Sequence, residues 1–195
     1  MYEVELKLRA DHDPVRRRLM ELDVHRTGTV SQVDVYYDAP HREFASTDEA
    51  LRVREERTVH EPTDAVRRGE WDESPEEVRT RLTYKGPLVD DSSKTRREFE
   101  TCVEDGTALS KLLDALGFEP AARVRKEREE FEFDGYAVTL DSVEGVGEFV
   151  EVDRAVPESE VAAARERAFE VVAELGLDPD ATIRTSYLEM VLDAR

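Results

Sequence analysis

The sequence predicts an α+β fold in which about eight mostly antiparallel strands close into a β-barrel. Three observations carry this. Stretches with period-two alternation recur through the chain; an Asp134-Gly135 pair, a strong two-residue turn signal, joins two of them; and helical spacing is confined to a few segments between and after the strands. So many antiparallel strands in a small domain leave no exposed sheet edge only if the sheet closes. At 195 residues the chain reads as one domain, 1–195, with room for a core.

The first strand is Met1–Arg9, where Val4, Leu6 and Leu8 alternate with Glu3, Glu5, Lys7 and Arg9. A helix follows, with Asp13 expected as N-cap, Pro14 as first helical residue, and Val15, Leu19 and Leu22 on one face. Strands are expected over 24–38, 50–56, 81–85 and 95–103. Residues 57–79 lack a period, carry two prolines and read as a charged hairpin insertion. Leu109, Leu112, Leu113 and Leu116 form a helical stripe ending at Gly117. Strands over 118–133, 136–143 and 148–153 come next, then a helix from Glu158 to Leu175 and a short one near 186–192.

Composition narrows the function. The net charge of -19 disfavours a general nucleic-acid binder, since phosphate would be repelled away from any local basic pocket. No apolar run is long enough for a membrane span and no signal peptide is visible. The single cysteine, Cys102, cannot form an intrachain disulfide, and these features together predict a cytoplasmic protein. Only five lysines accompany 23 arginines. That acidic, lysine-poor balance predicts a high-salt cytoplasm and a halophilic archaeon as source.

The charges fall on strand faces in a telling way. Alternating positions hold Glu3, Glu5, Lys7 and Arg9; Arg52 and Arg54; Thr83 and Lys85; Arg96, Glu98 and Glu100; Lys126 and Arg128; then Asp141, Glu151 and Asp153. If these faces converge, the barrel interior is ionic, which persists only with pairing, water, metal or an ionic ligand. Carboxylates at Glu3, Glu5, Asp141, Glu151 and Asp153 suit Mg²⁺ or Mn²⁺. Lys7, Arg9, Arg52, Arg54, Lys85, Lys126 and Arg128 suit a polyanion. Together they predict a nucleoside triphosphate or inorganic triphosphate as ligand. The four histidines have no metal-ligand spacing, no P-loop or nucleophilic-serine motif occurs, and Tyr187 reads as packing or a contact at a tunnel mouth.

YEVELKLR at 2–9 carries an E-x-E-x-K pattern; DVYYDAP, LRVR, LTYKGP, RREFE, VRKER, LDSVEGVGEFVEVD and SYLEMVL follow in order. As an ordered set they resemble the CYTH superfamily of triphosphate tunnel metalloenzymes, and especially class IV adenylyl cyclases. The resemblance implies an eight-stranded tunnel with helices packed outside. It further implies Glu3 and Glu5 as a first metal-binding pair, and Asp141, Glu151 and Asp153 as the second carboxylate group. Lys7, Arg52, Arg54, Lys85, Lys126 and Arg128 would hold the triphosphate, with Glu98 orienting those cations. Asp153 stands where triphosphatase members have Glu, so its shorter arm shifts one contact. Conversion of ATP to cyclic AMP and pyrophosphate is the expected reaction, with Glu5, Lys7, Asp141 and Glu151 as catalytic residues. Hydrolysis of inorganic or thiamine triphosphate, and non-catalytic binding of nucleotide or polyphosphate, are the alternatives. The resemblance also suggests a homodimer.

Overall fold

The computed structural model describes residues 1–58, 77–88 and 95–194; most of the expected 57–79 insertion lies outside the described residues. Its strands are β1 (Tyr2–Arg9), β2 (Arg26–Asp38), β3 (Ala50–Thr58), β4 (Val78–Leu88), β5 (Arg96–Val103), β6 (Glu119–Phe133), β7 (Tyr136–Val143) and β8 (Gly147–Val156). Among the described residues four helices, α1 (His12–Glu21), α2 (Gly106–Ala115), α3 (Val161–Glu174) and α4 (Tyr187–Asp193), accompany them. The strands form a closed antiparallel barrel in the order β1-β5-β4-β3-β2-β6-β7-β8. Asp134 and Gly135 both adopt positive φ, 52° and 75°, as a tight two-residue hairpin turn requires.

The apolar core lies outside the barrel wall. Leu6 and Leu8 of β1, Val138 and Leu140 of β7, and Val150 and Val152 of β8 point outward. They pack against Val15 and Leu19 of α1 and Ala168, Val171 and Val172 of α3. Because strand side chains alternate, that placement sends the neighbouring charged residues inward. One strand sequence thus specifies a dry exterior layer and an ionic interior at once.

Several boundaries depart from the sequence reading. The α1 N-cap is Asp11, not Asp13, because Glu148 Oε2 accepts from the His12 backbone N–H at 3.1 Å and supplies the capping contact. Pro14 therefore sits third in the helix, where a missing N–H still costs nothing. On α2, Leu113 meets Tyr37 and Val53, but Leu112 and Leu116 are 61% and 67% exposed. The expected four-leucine stripe is thus only half used. Strand β8 runs to Val156, three residues beyond the expected end.

Helix α4 closes one end of the barrel. Ser186 and Glu189 form a reciprocal capping box at its start. Just upstream, the Ile183 N–H donates to the Lys7 carbonyl at 2.8 Å. Tyr187 joins Tyr36, Val124, Val143 and Phe149 in a second buried apolar cluster. Near the same region the β4–β5 register shifts between Lys85 and Leu88. Gly86 allows this: a Cβ there would stand 3.2 Å from the Arg97 carbonyl oxygen.

Candidate functional site

Strand register builds the site. Directly opposite one another on neighbouring strands stand Lys7 and Glu151, Arg54 and Asp34, Lys85 and Glu98, and Arg128 and Asp141. These cross-strand pairs are complementary. Two others are not: Glu5 faces Asp153 and Arg54 faces Arg81. All of these residues except Asp141 line a chamber of about 330 Å³ inside the barrel.

The cations are held by short contacts. Asp34 accepts from Arg54 Nε and Nη2 at 2.7 and 2.8 Å, with Arg52 Nη1 at 3.7 Å. Burial would raise the Asp34 carboxyl, but Arg54 and Arg52 outweigh it and hold it well below the usual range. Arg52 also donates to Thr83 Oγ1 at 3.1 Å. Lys85 pairs with Glu98 and lies 3.3 Å from Glu3. Burial and the adjacent Glu3 push the Glu98 carboxyl up to about 8, against the pull of Lys85. Lys7 sits between Glu5 at 3.3 Å and Glu151 at 3.1 Å. Arg128 spans both Asp141 oxygens at 2.6 Å and reaches Glu151 at 2.5 Å. Burial, followed by repulsion from Arg128, lowers the Lys126 ammonium to about 8 even though Asp141 Oδ2 lies 2.9 Å away.

Most of the sequence-predicted residues converge here: Glu3, Glu5, Lys7, Arg52, Arg54, Lys85, Glu98, Lys126, Arg128, Glu151 and Asp153 all line the chamber. Two do not. Arg9 lies at the exposed end of β1, donating to the Val146 carbonyl at 3.0 Å and stacking on Phe149. Its inward parity is as expected, but as the last residue of β1, opposite Phe149, it lies at the barrel rim outside the chamber. Asp141 is fully buried behind the ring, its oxygens taken by Lys126, Arg128 and the Tyr187 hydroxyl. Asp141 is thus the counter-ion of Lys126 and Arg128.

Sequence reasoning missed Asp34, although Gln32, Asp34 and Tyr36 alternate on β2 and all three are buried. It also gave no role to Arg96, which is buried at the chamber wall and bonds Asp48 O and Oδ2 at 2.7 and 3.0 Å.

Mg²⁺ or Mn²⁺ fits the donor chemistry of this wall. Among the described residues no three His, Cys, Asp or Glu side chains converge on one ion position. Glu3, Glu5 and Glu151 instead turn oxygens toward Lys85 and Lys7. Two features leave room for a cation. Glu5 Oε1 is buried with only the Lys7 ammonium beside it, at 3.3 Å, and Asp153 is crowded by Glu3, Glu151 and Glu5. Burial first, then those like charges, raise the Asp153 carboxyl well above its ordinary value. Hard oxygens in mutual repulsion suit a divalent cation.

A closed barrel with an ionic chamber defines the class to which this chain is assigned by comparison. The CYTH domain pattern matches residues 1–187, and the chain belongs to that family. A Methanocaldococcus jannaschii protein described as a "putative adenylate cyclase" is 32% identical over 192 residues, 97% of this chain and 98% of its own. A solved protein from Pyrococcus horikoshii OT3 shares 36% identity with a TM-score of 0.84, covering 99% of each chain. A Hippeastrum protein described as a "putative adenylyl cyclase" with a dominant triphosphatase activity superposes with a TM-score of 0.53 at 18% identity, covering 90% of this chain and 88% of its own. That last likeness concerns fold alone. Among the described residues no helix is long and apolar enough to cross a membrane.

Proposed function

We propose that this protein is a divalent-metal-dependent enzyme acting on a triphosphate, and that it converts ATP to cyclic AMP and pyrophosphate. One observation carries the triphosphate reading: the same chamber gathers six cations, Lys7, Arg52, Arg54, Lys85, Lys126 and Arg128, beside the facing carboxyls of Glu5 and Asp153. Like charges held face to face are destabilising unless a ligand of opposite sign relieves them. A polyphosphate carrying a divalent cation relieves both.

Lys7, Arg52, Arg54, Lys85, Lys126 and Arg128 would hold the phosphate oxygens, the arginines through paired N–H groups. Glu3, Glu5, Glu151 and Asp153 would hold Mg²⁺ or Mn²⁺, which supplies Lewis-acid polarisation of phosphate oxygens and eases deprotonation of the attacking hydroxyl. The 3′-hydroxyl oxygen bonds to the α-phosphorus as the bond to the β-phosphate oxygen breaks, releasing pyrophosphate and a proton. The cation ring stabilises charge building on that leaving group. Support for a nucleoside comes from the Methanocaldococcus relative and from an apolar strip, Ala50, Leu188 and Leu192, at the α4 end of the chamber.

A second reading, hydrolysis of inorganic or thiamine triphosphate, is favoured by the lining elsewhere, where charged side chains predominate. Product analysis separates the two. Incubation with ATP and Mn²⁺ is expected to give cyclic AMP and pyrophosphate. Orthophosphate release, with inorganic triphosphate as the better substrate, would replace the cyclase reading with the hydrolase.

A further inference from the structure

We propose that Tyr187 is a positioning residue, whose ring and hydroxyl hold the Lys7 and Lys126 ammonium groups in the geometry that receives a phosphate chain. This rests on the triphosphate reading of the chamber. The Lys7 Nζ lies 4.1 Å from the Tyr187 ring centroid and the Lys126 Nζ 5.0 Å from it. The hydroxyl donates to Asp141 Oδ2 at 3.0 Å, the oxygen that also accepts from Lys126 and Arg128. One side chain therefore touches two cations and the counter-ion of a third.

The chemistry of the contact matters. Carboxylates draw ammonium N–H groups toward themselves, and Glu5, Glu151 and Asp141 do so here. An aromatic face attracts the positive charge without demanding a particular N–H direction. Tyr187 thereby fixes where the two charges sit while leaving N–H groups to turn toward an incoming oxygen. Its own place is secure: the Phe149 ring meets it edge-on at 5.1 Å, and the capping box fixes the first turn of α4. Tyr187 reaches Lys7 and Lys126 from a helix about 60 residues beyond Lys126 in sequence, so the cation ring is completed by an element outside the barrel strands.

A packing role alone predicts that any ring of the same shape serves. The discriminating series places Phe, 4-fluoro-, 3,5-difluoro- and 3,4,5-trifluorophenylalanine at position 187, because fluorine withdraws charge from the ring face with little change in size. Affinity for inorganic triphosphate is read by calorimetry in Mg²⁺ buffer, and the thermal midpoint of each variant is measured in parallel. The expected result is a graded weakening along the series, to roughly tenfold at three fluorines, with midpoints unchanged. Tyr187→Leu, lacking a ring, should bind more weakly than every member. A flat series beside a wild type that binds overturns the Tyr187 assignment and leaves the chamber reading standing. A wild type that does not bind inorganic triphosphate overturns both.

Discussion

Asp34 and Arg54 face each other directly across β2 and β3, and the carboxylate takes two nitrogens of one guanidinium, at 2.7 and 2.8 Å. The pair fixes the plane of Arg54 while the nearby Arg128 repels it. Asp34→Asn is therefore expected to cost about 3–5 kcal/mol of stability, because a buried guanidinium loses its counter-ion. The Asp34 carboxyl is held below its unfolded value, so the stability it contributes is present above about pH 4 and lost as pH falls below that. Urea unfolding at pH 7 and pH 3 should show a smaller acid loss for the variant than for wild type. Equal losses contradict the pairing.

Lys126 titrates near 8 in the free protein, lowered by burial and then by Arg128. A bound triphosphate would restore its charge, so affinity should fall as pH rises through 8. Calorimetry at pH 8.5 in buffers of different ionisation heat should detect uptake of about three-quarters of a proton on binding. Lys126→Arg, always charged, should bind with no such uptake.

Glu5 and Glu151 differ in their predictions for stability and share one for turnover. Glu5→Ala takes one of two carboxylates from Lys7 but also relieves repulsion against Asp153, so its thermal midpoint should fall less than that of Glu151→Ala. Glu151→Ala strips a partner from Lys7 and Arg128, so its midpoint should fall. Both should lose turnover with Mn²⁺ by at least about 100-fold. Full activity of either variant in EDTA-treated buffer would falsify the metal reading.

The surface carries its own expectation. At a net charge of -19, self-repulsion should weaken as screening shortens from about 30 Å at 0.01 M salt to about 3 Å at 1 M. The thermal midpoint should rise by several degrees between dilute buffer and molar KCl. An unchanged midpoint removes the high-salt adaptation.

Much of this barrel was legible from alternation alone. On β1 the apolar set Val4, Leu6 and Leu8 and the charged set Glu3, Glu5 and Lys7 occupy opposite faces, and period two separates them without ambiguity. The same pattern located the chamber residues on β3, β4, β6 and β8. What alternation cannot supply is depth along the barrel axis. Arg9 has inward parity but lies at the rim, the last residue of β1, held by the β7–β8 turn at Val146. Asp141 also has inward parity, yet α4 brings Tyr187 over it and removes it from the chamber. Asp34 was present in the pattern of Gln32 and Tyr36, but no run of charges there marks an ionic face. Its role depends on a partner 20 residues away on β3, which only register reveals.

The most direct measurement compares two lysines by calorimetric titration with inorganic triphosphate. Lys85 is half-buried in the chamber between Glu98 and Glu3, whereas Lys111 is exposed on α2 outside the barrel. Loss of a charge-assisted phosphate contact at Lys85→Ala should weaken binding at least about tenfold. Lys111→Ala should bind like wild type. Unchanged affinity in Lys85→Ala, or an equal loss in Lys111→Ala, would show that the barrel interior is not where the triphosphate binds.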